Sequence, residues 1–281
     1  MTKWMLALAL TALCAGCASA QTAIERKFIS DASLEFPVFA QTDNASDITI
    51  DNAPWNRFLD AYLSRNADGV VLVDYAAVSD EDKAALKRYV AMLEGTDPTT
   101  LSSDAQLAYW INFYNALTVD VILDHYPVAS IRDIKSGPFD FKGPWNDKRV
   151  TVNGEALSLD DIEHNIIRPI YNEPRIHYGV NCASIGCPNL RAVAYEPATI
   201  DAALTEAARE YVNNPRGVQV DGDRVTASKI YAWFSEDFGE NEADTLDHIR
   251  QYASPALLEA LEGRTKINRY EYDWALNDAE R

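Results

Sequence analysis

The fold of this chain is decided by residues 102–127, SSDAQLAYWINFYNALTVDVILDHYP. Ser103 and Gln106 stand three positions apart and predict a capping box at the start of a helix, and Pro127 predicts its end. Apolar side chains form one stripe at spacings of three and four and extend well around the cylinder: Leu107, Ile111, Tyr114, Leu117 and Val121, with Trp110, Phe113 and Val119 beside them. The stretch therefore predicts a central helix that other elements nearly surround.

Two amide side chains, Asn112 and Asn115, lie three positions apart on this apolar helix. A buried amide without hydrogen-bond partners costs on the order of 1 to 3 kcal/mol, so both need partners. They either bridge to neighbouring backbone or line a cleft that binds a substrate. The sequence leaves both interpretations open.

The composition narrows the classes of partner. The chain has 281 residues and a formal net charge of −18, with 43 acidic against 25 basic residues. This balance argues against binding nucleic acid or an anionic lipid surface, because both require local positive charge. A small molecule or a peptide fits better, and the acidity also favours solubility. No oligomeric state follows from it.

Residues 1–20 have the layout of a secretory signal peptide: Lys3, an apolar run over 4–13, and small residues before the cleavage site. We expect the mature chain to begin at Gln21 and to be periplasmic or secreted. A lipid anchor at Cys17 is the alternative, because small residues precede this cysteine. No other segment approaches the ~20 apolar residues of a membrane-spanning helix, so no transmembrane segment is expected.

The remainder divides into a polar N-terminal arm or linker, residues 21–50, and a single domain over 51–281. Within the domain, Asn153 and Gly154 between short extended arms predict a tight β-hairpin. No phosphate-binding glycine loop is present, and no cofactor is expected.

A shorter helix is predicted from LDDIEHNIIRPI, residues 159–170. At about 100° per residue, Glu163 falls inside its apolar arc and His164 at the border of that arc. A carboxylate in an apolar face has a perturbed pKa unless it is paired, and Arg168 and Arg175 are candidate partners. Glu163 is thus either a functional carboxyl or half of a structural ion pair, and His164 is either a partly exposed histidine or a catalytic base.

The sequence RIHYGVNCASIGCPNL, residues 175–190, carries Cys182 and Cys187. Residues 176–182 read as a strand, on which His177 and Asn181 share one face. An extended strand would separate His177 from Cys182 by roughly 16 Å, which favours His164 as the base and leaves His177 in reserve. Cys182 would present its thiol from the strand end.

The same two cysteines have other interpretations. Four residues separate them, so they could instead close a small disulfide loop, which export would favour. Their spacing matches no common zinc motif, and no metal site is expected.

Six motifs in order resemble the family named domain of unknown function 547: YWINFYNALTVDVILDHYP, GPW, VNGEALSLDDIEHNIIRP, RIHYGVNCASIGCPNLR, WFSEDFG and YDWALN. The resemblance covers about residues 50–278. It implies an α+β domain of the papain/transglutaminase-like type, with the central buried helix packed on a mainly antiparallel sheet. The distant likeness also suggests thiol-dependent acyl or amide chemistry, with the family's cysteine-rich turn on Cys182 and Cys187 and its IEH motif on Glu163 and His164.

Two hypotheses follow. In the first, the protein is an exported thiol hydrolase or acyl transferase, in which Cys182 attacks an amide or thioester, His164 moves the proton and Glu163 tunes the site. Asn112, Asn115 and Asn181 would then contact the substrate. In the second, the protein is a non-catalytic periplasmic binding or scaffold domain in which the two cysteines form a disulfide.

Overall fold

The computed structural model describes residues 31–135, 137 and 143–280, and these residues form two compact units. The large unit comprises 31–208 with 273–280, and the small unit comprises Arg209–Tyr272. The expected signal peptide, the Cys17 anchor and the first part of the arm lie outside the described residues. The prediction of a single domain over 51–281 stays a prediction.

The helices of the large unit surround one long central helix. They are α1 (Ala53–Tyr62), α2 (Asp80–Glu94), α3 (Ser103–His125), a π-helix (Asp161–Ile167), α4 (Arg168–Tyr171) and α5 (Ile200–Val212), which runs on into the small unit. Short 3₁₀ helices precede or separate these elements, at Pro37–Ala40, Pro98–Thr100, Ile131–Asp133, Pro144–Asn146, Pro174–Tyr178 and Pro197–Thr199. Among the described residues, no helix combines the length and apolar character needed to cross a membrane.

Helix α3 is the core of the large unit, as the sequence predicted. Every residue from Ala105 to Leu123 on it is buried. Its main neighbours are α2, the π-helix and the 3₁₀ helices Pro98–Thr100 and Pro197–Thr199. The prediction that this helix packs on a mainly antiparallel sheet is therefore wrong in its second half, because the elements that chiefly cover α3 are helical.

The start of α3 differs from the predicted capping box. Ser102 is the cap, and its side-chain oxygen accepts a hydrogen bond from the backbone N–H of Ala105 at 3.4 Å. The Gln106 amide instead donates to the carbonyl oxygens of Gln41 and Pro98, at 2.8 and 2.9 Å. Gln106 thus ties the N-terminal segment to the helix rather than capping it.

The strands of the large unit form two antiparallel pairs: β1 (Leu63–Arg65) with β2 (Val71–Val73), and β3 (Val150–Val152) with β4 (Glu155–Leu157). The second pair is the predicted hairpin. Its turn residues Asn153 and Gly154 both have positive φ angles, 51° and 88°. This is the backbone geometry that an Asn-Gly turn favours.

The small unit has a three-stranded sheet. Strand β5 (Val218–Asp221) pairs antiparallel with β6 (Arg224–Ser228), and β7 (Arg269–Glu271) pairs parallel with β6. Helices α6 (Ile230–Trp233), α7 (Ser235–Phe238), α8 (Glu242–Tyr252) and α9 (Pro255–Ala260) follow β6. The described protein is thus a mixture of helices and small, mostly antiparallel sheets.

Residues 176–182 do not form the predicted strand. Pro174–Tyr178 is a 3₁₀ helix, and the Gly179 and Val180 amides both donate to the Ile176 carbonyl. Proline sets the φ angle at the start of this helix, and the Glu173 side chain caps it by accepting from the Arg175 amide. The chain therefore turns compactly between His177 and Cys182, and the separation calculated for an extended strand does not apply.

Candidate functional site

Cys182 stands at the start of a turn that the C-terminal segment holds in place. The amides of Ile185 and Gly186 donate to the carbonyl oxygens of Ala275 and Asp273, both at 2.8 Å. Ala183 is buried and has a φ angle of 58°, a left-handed conformation that residues other than glycine rarely adopt. The turn is thus both pinned and locally strained, which is typical of segments that position a functional group.

Amide side chains fix the approach to this turn. Asn115 on α3 donates to the Gly179 carbonyl at 2.9 Å and accepts from the Asn181 amide at 2.8 Å. The Asn181 side chain accepts from the Ala183 amide at 2.8 Å and donates to the Pro188 carbonyl at 2.6 Å. These side chains bracket the backbone on both sides of Cys182.

Asn112 makes the same kind of bracket with a different loop. Its amide donates to the Tyr195 carbonyl at 2.8 Å and accepts from the Tyr195 amide at 2.9 Å. These hydrogen bonds join the side chains of Asn112, Asn115 and Asn181 to backbone groups. Of the two interpretations that the sequence left open, this arrangement favours structural bridging, and substrate contact by the three residues stays a prediction.

The two cysteines lie side by side and both are thiols in the structure. The Cys182 side chain is half-buried, whereas Cys187 is 5% exposed. The Cys182 amide donates to the Cys187 sulfur at 2.9 Å, and the Cys182 sulfur lies 3.4 Å from the Ser184 hydroxyl oxygen. Of the two thiols, Cys182 is therefore the one that a reagent from solvent can reach.

Glu163 is buried on the π-helix, inside the apolar core as the sequence predicted. Burial raises the pKa of its carboxyl group to about 8, against the opposing effects of a hydrogen bond from Tyr114 and the positive charge of Arg168. The other candidate partner, Arg175, pairs with Glu173 and Asp201 instead. At neutral pH the Glu163 carboxyl group is therefore mostly protonated in the folded protein.

The two candidate histidines have different surroundings. His164 is buried, and its Nδ1 lies 3.2 Å from Nη1 of Arg168. Because a guanidinium group can only donate, this contact assigns the Nδ1 lone pair of His164 to Arg168. The ring of His177 is also buried, and its Nδ1 lies 3.9 Å from Oε1 of Glu163.

Electrostatic interactions join these groups into one cluster. Burial, and then the negative charges of Glu163, Cys182 and Cys187, raise the pKa of the Tyr114 phenol. Burial, the negative charge of Asp278 and that of the same two cysteines raise the pKa of Tyr75. We call Tyr114, Glu163, Cys182 and Cys187, together with His177 beside Glu163, the thiol cluster.

Sequence analysis did not assign Tyr114 a role in this cluster, because it fitted the apolar stripe of α3. The available signal was its hydroxyl group, since a buried phenol requires a hydrogen-bond partner. Its partner is the carboxyl group of Glu163. Among the described residues, no group of three or more histidine, cysteine, aspartate or glutamate side chains could hold a metal ion.

These features define a protein of mixed helices and small sheets that carries a half-buried thiol on a pinned turn and, in the same unit, a buried carboxyl group 3.9 Å from an imidazole. The profile of the family described as "Protein of unknown function, DUF547" matches residues 98–212, and this range contains the whole thiol cluster. This match confirms, over residues 98–212, the resemblance predicted from the sequence. Neither the curated proteins nor the solved structures compared with the chain include a match.

Proposed function

We propose that this protein is a thiol-dependent hydrolase or acyl transferase that acts on an amide or a thioester. The observation that carries the proposal is the Glu163–His177 pair, with Oε1 and Nδ1 3.9 Å apart, in the same cluster as the half-buried thiol of Cys182. Cys182 would be the nucleophile and His177 the base. Glu163 would orient the imidazole of His177, and Tyr114 would hold Glu163.

This assignment replaces His164, the base favoured by the sequence, with the reserve candidate His177. A general base needs an available nitrogen lone pair, and Arg168 occupies that of His164 Nδ1. His164 also lies near a carboxylate, with its Nε2 3.9 Å from Oδ1 of Asp160. The Nδ1 atom of His177 lies at the same distance from the Glu163 carboxyl group, which could orient the imidazole and, once ionised, would stabilise its protonated form.

The reaction would proceed in two steps, acylation of the thiol and attack on the resulting thioester. The Cys182 thiol transfers its proton to His177 while the sulfur forms a bond to the carbonyl carbon, and the amine or thiol of the substrate leaves with that proton. Water, or another acceptor, then attacks the resulting thioester and restores the thiol. The Ser184 hydroxyl group, 3.4 Å from the Cys182 sulfur, is close enough to donate to the carbonyl oxygen during attack.

The same proposal includes the finer fold and location expected from the sequence. A papain/transglutaminase-like fold is supported by the buried helix α3 and the thiol-bearing turn that Asn115 on α3 holds in place. Export to the periplasm or beyond is supported by the layout of residues 1–20. The net charge of −18 supports a small molecule or a peptide as the substrate rather than a nucleic acid.

The test is the rate at which iodoacetamide alkylates Cys182 in the reduced full chain, followed by mass spectrometry of the peptide. We expect rapid alkylation that His177→Gln slows to the rate of an ordinary thiol. The matched control is His164→Gln, a buried histidine on the neighbouring element, which should leave the rate within about twofold. Circular dichroism verifies that both variants fold.

Three outcomes would count against the proposal. Slow alkylation of Cys182 in the reduced protein would remove the nucleophile. A larger effect from His164→Gln than from His177→Gln would reverse the assignment of the base. Failure of the reduced protein to form a covalent acyl adduct at Cys182 with a panel of aryl thioesters would leave a reactive thiol without acyl chemistry.

A non-catalytic binding or scaffold domain is the second candidate. One observation favours it: the amides of Asn112, Asn115 and Asn181 are engaged by backbone groups. In that case the Cys182 alkylation rate would be that of an ordinary thiol in the wild type and in both histidine variants.

A further inference from the structure

The two sulfur atoms of the thiol cluster lie within reach of each other. The Cys182 amide nitrogen is 2.9 Å from the Cys187 sulfur. Since an N–Cα bond is about 1.46 Å long, the Cα atom of Cys182 is within about 4.4 Å of that sulfur. This separation is compatible with a bond between the two sulfur atoms that requires rotation of the Cys182 side chain about its Cα–Cβ bond.

The backbone between the cysteines already has a folded-back shape. Ala183 adopts its left-handed conformation one residue after Cys182, and the Cys187 amide donates to the Ser184 carbonyl at 3.1 Å. The C-terminal segment pins Ile185 and Gly186 between these points. A bond between the sulfurs would close a loop that the fold already holds.

We propose that Cys182 and Cys187 form a reversible disulfide bond that switches the thiol site off. The loss of activity rests on the proposed function, whereas the formation of the bond does not. The proposal differs from a purely structural disulfide because both oxidation states would share one backbone conformation.

The different exposure of the two sulfur atoms determines which one reacts with the oxidant first. Cys182 is half-buried and meets a peroxide from solvent, whereas Cys187 is buried beside it. The Cys182 thiolate attacks the peroxide, breaks the O–O bond and becomes a sulfenic acid, while the alcohol or water half of the peroxide leaves. The Cys187 thiolate then attacks the sulfenic sulfur, and the hydroxide that leaves takes up a proton to become water.

A hydrogen bond to the Cys187 sulfur favours the second step. A backbone N–H that donates to a sulfur stabilises its thiolate form, and the Cys182 amide donates to Cys187. Formation of the disulfide removes the Cys182 sulfur as a nucleophile. A dithiol reductant reverses the reaction by thiol–disulfide exchange.

The test treats the reduced full chain with hydrogen peroxide and analyses the peptide that contains both cysteines under non-reducing conditions. We expect this peptide to lose the mass of two hydrogen atoms, to resist iodoacetamide, and to recover both thiols after dithiothreitol. In Cys187→Ser the second step is absent. Dimedone should then trap a sulfenic acid on Cys182, and prolonged peroxide should oxidise it irreversibly.

Two results would overturn the inference. One is a disulfide that joins two chains rather than the two cysteines of one chain. The other is equal dimedone labelling of the wild type and Cys187→Ser. If the Cys187→Ser protein does not fold, Cys187→Ala serves as the second variant. The disulfide and the dimedone adduct are both detected by mass and need no substrate. The disulfide can therefore form even if the acyl-transfer test fails, and acyl transfer can occur even if no disulfide forms.

Discussion

Replacing Glu163 by glutamine should change how the stability of the protein depends on pH. Glutamine has the shape of the protonated carboxyl group and cannot ionise. In the folded protein burial raises the pKa of Glu163 from 4.5 to about 8. The charged or titratable groups around it are Tyr114, Asp160, Arg168, His177 and Cys187. Ionisation of Glu163 above pH 8 thus places a negative charge inside the core of the large unit.

The sign and size of the effect follow from proton linkage. Between pH 4.5 and about 8 the folded state holds the Glu163 proton and the unfolded state has released it, so the free energy of unfolding falls as the pH rises. The slope is about 1.4 kcal/mol per pH unit for one proton. Over the whole window the wild type should lose about 3 to 5 kcal/mol relative to Glu163→Gln, and the difference should be constant above about pH 8.

The assay is urea denaturation of the wild type and the variant at several pH values from 5 to 9. The difference in free energy of unfolding should be less than about 1 kcal/mol at pH 5, and it should reach its full size in favour of the variant at pH 8 and above. Glu155→Gln is the matched control, because Glu155 is exposed on β4 and its replacement removes the same charge. The reasoning is refuted if the profiles of the wild type and Glu163→Gln run parallel.

Two further predictions concern the elements that support the site. Asn115→Ala leaves the buried Gly179 carbonyl and Asn181 amide without this partner, so we expect thermal denaturation to report a loss of about 2 to 4 kcal/mol; a loss below 1 kcal/mol would contradict the bracket. Ser102→Ala should cost about 1 kcal/mol because it removes the cap of α3, whereas Ser103→Ala should cost less than about 0.5 kcal/mol; equal costs would restore the capping box predicted from the sequence.

The elements that the sequence predicted well are those whose signals are local. Helix α3 has apolar side chains on most of its faces, so its burial could be inferred before its neighbours were known. The β3–β4 hairpin was predictable because Asn153 and Gly154 tolerate the positive φ angles of its turn. Burial of Glu163 followed from the apolar arc around it.

The wrong predictions concern features of secondary structure that the pattern of a short apolar run does not determine. Residues 176–182 fit a strand and a tight helix equally well by pattern, and Pro174 with the Glu173 cap decides for the 3₁₀ helix. The cap of α3 is Ser102 and not Ser103, because the Gln106 side chain donates its hydrogen bonds to the carbonyl oxygens of two other segments. Contacts with such distant segments cannot be predicted from the local sequence.

The site was recovered only in part for a related reason. His164 and Glu163 are adjacent in sequence, which made His164 the natural candidate for the base. The contact that matters in the proposal joins Glu163 to His177, on a separate 3₁₀ helix. Without the predicted strand, the separation that had placed His177 in reserve no longer applies. The wrong strand prediction thus bears on the choice of the base, and the assignment of either histidine stays a prediction.

The ionisation of Glu163 separates the two candidate functions. A scaffold needs only a polar group that accepts the hydrogen bond from Tyr114, and glutamine would supply one without the loss of stability that begins near pH 4.5. A carboxyl group with a pKa of about 8 beside an imidazole instead ionises as the pH rises through about 8, and its negative charge would then favour the protonated form of His177. The proposed chemistry therefore gives the ionisable carboxyl group of Glu163 a role that packing alone does not require.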